Sequence, residues 1–365
     1  MTPFSPKLQH KINILASRRQ KIKLGSIPFE SPLLLAPMAS ICDAPFRLLM
    51  QDLGAGGSVS ELISADGIFY KNKKTQDMLT IFPEEKNIGL QLFGDEAEKL
   101  AYACEVAASH NPSFVDLNLG CPVKKVVQKG SGSALLRKPK ELEILLLAMK
   151  QALGPMPLTI KIRLGWDDSE INADEIAKLA YDCGVEFVAV HGRTREQQYS
   201  GLANWDYLEG LAKMAPLPII GNGDLHHEEL VRNRLQKTNC DALMLARGPL
   251  RSPFLFLESY KKNLHEKTLT GESLSFHASD YVEIIQRYFH YLTRSSSNEN
   301  YLQIQLRKMI VWYSSGLKNS VQFRSKVFTT QNLSELMEMT QEFFSSLGET
   351  EKRFDEKPFM TSGHG

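Results

Sequence analysis

Eight short apolar runs, most of them separated by stretches with helical spacing, limit what this chain can fold into. They are LLLAPM (33 to 38), SVSEL (58 to 62), IGLQLF (88 to 93), FVDLNL (114 to 119), LTIKIRL (158 to 164), FVAVHG (187 to 192), LPIIGNG (217 to 223) and ALMLAR (242 to 247). The intervening EAEKLAYACEVAASH and ADEIAKLAYDCG place apolar residues at helical spacing, and Gly184 ends the second as a helix C-cap does. Eight alternations of strand and helix predict a (β/α)8 TIM barrel over residues 21–253. A doubly wound sheet shares this alternation, but the chemistry-bearing residues fall at the run ends, and a barrel gathers those ends on one face.

After Pro253 the pattern becomes purely helical, with DYVEIIQRYFHYL, YLQIQLRKMIVWYSSGL and LSELMEMTQEFFSSL each amphipathic at a 3.6-residue period. We therefore expect a small all-α helical bundle over 254–347, an N-terminal extension over 1–20 and a polar, disordered tail over 348–365. No apolar run reaches the roughly 18 residues that a membrane span needs, and KLQHKINILASRRQKIK is too polar for a signal-peptide core. A cytoplasmic monomer is expected, with no membrane partner. The five cysteines are widely spaced without a CxxC pair, so they predict free thiols and neither disulfides nor a metal site.

Gly221, Gly223 and Gly248 lie near the last two run ends, where a barrel commonly binds phosphate through backbone N–H groups, and Arg247 would neutralise the anion. Lys161 sits mid-strand among apolar neighbours. It either reaches solvent along its own stem or meets a bound anion or electron-rich ring. His191, alone at a strand end, reads equally well as a ligand contact or as a satisfied hydrogen bonder.

Cys121 lies between Gly120 and Pro122, just past a run ending at Asn118 and Leu119, which puts its thiol in the barrel mouth. No histidine or acid lies nearby in sequence to activate it, and an unassisted thiol with a reference pKa of ~8.5 stays protonated at neutral pH. It is better suited to give a proton than to attack.

Net charge is only +1, so any polyanion site must be local. Two acid-free basic stretches qualify. One follows the cysteine with Lys124, Lys125, Lys129, Arg137 and Lys138; the other carries Arg307, Lys308, Lys318, Arg324 and Lys326 among Tyr301, Trp312, Tyr313 and Phe323. A solvated charge run is the plainer reading of either alone, and together they could follow a phosphate backbone toward the cysteine.

Taken in order, LLLAPMASICDAPFR, VSELISADG, LQLFG, DLNLGCPVKKVVQKGSGSALL, TIKIRLGW, VHGRTREQQYSG, IIGNGDL and DALMLARG resemble the bacterial tRNA-dihydrouridine synthases. LRKMIVWYSSGLKNSVQFRSKVF is similar to the tRNA-contacting helical domain of their B-type branch. The resemblance implies an FMN barrel that uses NADPH to reduce the C5–C6 bond of particular uridines in tRNA, hydride going from flavin N5 to C6 and a proton to C5. On this reading Cys121 is the proton donor. Pro37, Met38 and Ala39 lie against the flavin ring, while Gln91, Lys161 and His191 contact it. Asn222, Gly223, Asp224, Ala246 and Arg247 surround the phosphate, Ala246 standing where the family often has glycine. Asn118 and Arg163 hold the uracil, and Lys124, Lys125, Arg307, Lys308 and Arg324 follow the RNA. The readings that compete are a flavin barrel acting on a free pyrimidine and a non-catalytic RNA-binding protein on a relict barrel.

Overall fold

The computed structural model describes residues 3–263, 266–268 and 271–347, so the expected tail over 348–365 lies outside the described residues. A two-stranded hairpin, β1 (Ile22–Leu24) and β2 (Ile27–Phe29), precedes eight parallel strands: β3 (Leu33–Leu35), β4 (Ser58–Ser64), β5 (Ile88–Phe93), β6 (Phe114–Leu119), β7 (Leu158–Arg163), β8 (Val188–His191), β9 (Ile219–Asn222) and β10 (Ala242–Leu245). These eight close into a barrel in chain order, with β10 pairing back to β3. Each of the eight apolar runs supplies one strand. The first is shorter than its run because Ala36, Pro37 and Met38 leave the sheet to line the barrel mouth.

Alternation along the strands sorts side chains between two environments. Outward residues such as Val115, Leu117, Ile160, Ile162, Val188 and Val190 pack under the surrounding helices. Inward residues form tiers. At the lower end Phe114 and Phe187 meet each other and Phe29 of the hairpin edge to face, with ring centres 5.5 to 6.0 Å apart, so the hairpin corks the barrel. Gly25 makes the hairpin turn at φ +58°, and a Cβ there would lie 2.2 Å from the Glu186 carboxylate, which accepts the Ser26 N–H. Above the aromatic tier lie Gln91, Asp116 and Thr159, and above these Asn118, Lys161, His191 and Asn222. Strand register sets this order, with Gln91 beside Asp116, Asn118 beside Lys161, and His191 beside Asn222.

Four longer helices follow the barrel, at Asp280–Ser295, Glu299–Ser314, Ser320–Thr329 and Leu333–Ser346. Asn298 and Asn332 cap the second and fourth by accepting backbone N–H bonds. Buried Tyr291, Tyr313 and Phe344 belong to one core with Phe46, Leu49 and Leu53 from the helical segment after β3. The polar seam is equally continuous: Tyr291 and Arg287 donate to Asp52, and Tyr301 donates to Asp43 at 2.9 Å. The N-terminal extension joins this assembly. Ser5 caps the helix Pro6–Ala16, whose Leu8, Ile12 and Leu15 are buried, while Lys11 pairs with Asp280 and Arg18 with Glu266.

Candidate active site

A cavity of about 440 Å³ opens among the loops that follow the strands, which is the face where a barrel places its chemistry. Its wall includes Pro37, Met38, Ala39, Asn118, Cys121, Lys161, Arg163, His191, Asn222, Gly223, Asp224, Ala246 and Arg247. Thirteen positions singled out in the sequence thus converge from six strands and the loops after them.

The cysteine loop is built by hydrogen bonds from below. Asn118 Oδ1 accepts the Cys121 N–H at 3.0 Å, and the Cys121 carbonyl accepts the Ser133 hydroxyl at 2.9 Å. The thiol itself is half-buried. Burial pushes its pKa up, against the lowering effects of the Val123 N–H and the Arg163 and Lys161 charges, so it holds its proton at neutral pH. The other four cysteines are buried elsewhere.

Lys161 carries a weakly compensated charge. Its Nζ reaches the Asn222 side-chain oxygen at 3.4 Å, a long bond, and the Asn222 amide nitrogen is committed to the Met244 carbonyl. Burial, then the nearby Arg163, presses the ammonium pKa down to about 8. A cation held this way favours an anion or an electron-rich group in the cavity. His191 is kept neutral by burial and by the Arg163, Lys161, Arg193 and Arg247 charges, with its pKa well below the usual value. Its Nε2 lies 3.4 Å from an Arg193 guanidinium nitrogen. Because arginine can only donate, Nε2 must accept and Nδ1 carries the hydrogen.

Arg163 donates to the carbonyls of Gly120, Thr194 and Gln198 at 2.8 to 2.9 Å. It therefore ties the cysteine loop to the loop after β8. Its guanidinium lies 5.7 Å from the centre of the Tyr199 ring and that of Arg247 lies 5.0 Å from the same ring, so two cations lie against one aromatic.

Residues 34–347 match the family described as dihydrouridine synthase (Dus). The chain belongs to the dihydrouridine synthase family. Among its curated relatives, a probable tRNA-dihydrouridine synthase of Rickettsia conorii is 34% identical over 91% of this chain and 98% of its own. The tRNA-dihydrouridine synthase B of Xanthomonas axonopodis pv. citri is 32% identical, covering 89% and 96%. That of Vibrio cholerae is 38% identical over 65% of this chain and 73% of its own. Among solved structures, histamine dehydrogenase from Rhizobium sp. 4-9 shares the fold at TM-score 0.53 and 10% identity, covering 77% of this chain and 51% of that one.

In this dihydrouridine synthase family member some of the expected site residues lie outside the cavity wall. Gln91 is fully buried one tier below, its amide donating to Asp116 at 2.7 Å and accepting from Asn118 at 3.0 Å. Asp224 lines the wall but turns its carboxylate onto Arg193 and the Ala203 N–H. Burial would raise its pKa, and the bonds from His226, Ala203 and Arg193 outweigh that and hold it well below the usual carboxylate range. Gly221 serves packing, since a Cβ there would lie 2.7 Å from the Trp205 ring. Gly223 stands on the cavity wall at φ +132°, a backbone that favours glycine.

The basic residues separate into two kinds. Lys124 and Lys125 are exposed on a short helix beside the cysteine. Arg307 donates to the Thr330 carbonyl and to Gln303, Lys308 reaches the Ser40 carbonyl at 3.4 Å, and Arg324 leans on the Ser320 carbonyl. These three are partly buried within the helical region. Sequence reading missed Arg193 and Tyr199. Arg193 lies in a polar loop and looks solvent-facing, yet only 2% of it is exposed.

Proposed function

We propose that this chain is a tRNA-dihydrouridine synthase, an oxidoreductase that binds FMN in the barrel mouth and reduces uridine in tRNA to 5,6-dihydrouridine at the expense of NADPH. The observation that carries the reading is the pairing, in one cavity, of a protonated thiol on Cys121 with the under-compensated cation of Lys161, in a chain of the dihydrouridine synthase family.

The residues present fit a flavin. Lys161 would meet its electron-rich ring, Pro37, Met38 and Ala39 offer an apolar wall, and neutral His191 offers a hydrogen-bonding edge. Arg247 and the Gly223 backbone would receive the phosphate, with Asn222 and Ala246 beside them. The chemistry such a group supplies when bound is delivery of two electrons to the C5–C6 double bond of the pyrimidine, drawn in turn from NADPH.

This chain's own part is to bind, orient and protonate. Cys121 holds the proton that C5 requires, and a thiol of raised pKa parts with it only to a strongly basic carbon, which limits wasteful ionisation. Asn118 and Arg163 border the space for the uracil. Lys124 and Lys125 would receive RNA backbone near the mouth, with the region 254–347 as the larger RNA-contacting unit and the partly buried Arg307, Lys308 and Arg324 as its basic residues. Solvent is displaced as the base enters, a step that needs the uridine turned out of its stack at a cost of a few kcal/mol.

Neither competing reading accounts for the whole arrangement. A barrel for free pyrimidines has no need of the exposed lysine helix beside its cysteine, and a relict barrel has no reason to keep in its mouth a half-buried lysine without a carboxylate partner among the described residues. The deciding experiment is nucleoside analysis of tRNA incubated with the purified protein, FMN and NADPH. Dihydrouridine should accumulate in tRNA while free uracil in a parallel reaction yields no dihydrouracil, and absence of dihydrouridine would refute the assignment.

A further inference from the structure

We infer that Asp116, which lies below the cavity, is a positioning residue for Cys121, acting through the side chains of Gln91 and Asn118. The proposal deepens the assigned chemistry in that it rests on Cys121 as the acid, but the hydrogen-bond chain itself does not depend on that assignment.

Asp116 is a buried carboxylate in the barrel interior, 2% exposed, which is an expensive residue to place there without a purpose. Its Oδ1 accepts the Thr159 hydroxyl at 2.6 Å and its Oδ2 accepts the Gln91 amide at 2.7 Å. Gln91 Oε1 in turn accepts Asn118 Nδ2 at 3.0 Å, and Asn118 Oδ1 accepts the backbone N–H of Cys121 at 3.0 Å. Three bonds thus connect a carboxylate in the middle tier with the peptide that carries the thiol.

The direction of every bond in this chain is forced from both ends. An ionised carboxylate can only accept, so Gln91 must turn its NH2 toward Asp116 and its oxygen toward Asn118. A backbone N–H can only donate, so Asn118 must turn its oxygen toward Cys121 and its NH2 toward Gln91. The two requirements agree, and neither amide can flip without setting like against like. Without an acceptor at position 116, the Gln91 NH2 loses its partner and the amide pair is held from the Cys121 end alone. Asn118 is then less firmly placed, and the bond that holds the cysteine loop from below is weakened.

Burial raises the Asp116 pKa to about 6, against the lowering effects of its bonds from Thr159 and Gln91 and the Lys161 charge, so the acceptor state holds at neutral pH. Lys161 offers a competing explanation, in which the charge at 116 matters and the bond directions do not. Asp116→Asn separates the two. Asparagine can point its oxygen at Gln91 and its NH2 at the Thr159 hydroxyl, which can also accept, so the chain keeps its direction while the charge disappears.

The test is the alkylation rate of the full-length protein by iodoacetamide at pH 8, with Cys121→Ser as the control that assigns the reactive thiol. Asp116→Ala should alkylate between about twofold and tenfold faster than wild type, the range of one net hydrogen bond lost from the loop. Asp116→Asn should stay near the wild-type rate. Gln91→Met, which fills a similar volume and breaks the same chain, should match Asp116→Ala and serves if the alanine variant does not fold. A wild-type rate in Gln91→Met, or an asparagine variant that behaves like alanine, overturns the proposal. Absence of dihydrouridine formation by the wild type would refute the assigned function and leave this measurement standing.

Discussion

Arg193 Nη2 donates to both carboxylate oxygens of Asp224, at 2.7 and 2.9 Å, and the same guanidinium reaches His191 Nε2. The pair joins the loop after β8 to the turn after β9, where Asp224 sits at φ +56°. Arg193→Met leaves a mostly buried carboxylate without its counterion, which costs about 3–5 kcal/mol when a buried pair loses one member. Denaturant midpoints should fall accordingly, and FMN should bind more weakly as Gly223 and His191 lose their support. The sign with pH is fixed by the lowered Asp224 pKa: its stabilisation is present above the unfolded value of about 4 and is lost as pH falls below it. Asp224→Asn should flatten that acid limb of the stability curve.

Lys161→Met should yield a well-folded protein that is colourless once mixed with FMN and freed of unbound flavin by gel filtration. In the ligand-free wild type the lowered Lys161 pKa means that the unfolded chain binds an extra proton between about pH 8 and the ordinary lysine value of about 10.4. Stability from this group therefore rises with pH through that window. Thermal melts at pH 8, 9 and 10 should show the rise in wild type and its loss in the methionine variant.

Cys121→Ala should retain FMN and tRNA binding and lose between about a hundredfold and ten-thousandfold of dihydrouridine formation, the usual worth of a placed general acid. Single-turnover reduction of tRNA by the pre-reduced protein measures the loss directly. Unchanged turnover would remove the cysteine from the proton-transfer step.

Replacing Lys124 and Lys125 together by alanine should weaken tRNA binding without altering the melting temperature. The slope of log affinity against log salt should fall by up to about 2, close to one unit for each phosphate contact removed. Arg307→Ala should behave in the opposite way, lowering stability more than the salt slope, because its guanidinium already serves the Thr330 carbonyl. Filter binding over a salt series, with a melt of each variant, distinguishes the two classes.

The barrel was legible because strand and helix periods differ and eight alternations leave few solutions. Cys121, Asn222 and Gly223 were legible because their residue types sit at or just past run ends, where a closed barrel must gather them, and Lys161 because a charge among apolar strand neighbours needs a partner. Gln91, which the resemblance puts in contact with the flavin ring, lies below the cavity wall because the β5 register sets it beside Asp116, one tier lower. Arg193 escaped notice because a polar loop gives no sign that folding will bury it. For Arg307 the sequence shows the charge and conceals the Thr330 carbonyl that accepts from it.

The Phe29, Phe114 and Phe187 cork bears on traffic. With the lower end stopped by aromatic rings, any dinucleotide that supplies electrons and any RNA that receives them must use the same doorway. Two visitors of such different bulk cannot share it, so under the proposed function the catalytic cycle divides into alternating visits, first to load the site and then to discharge it.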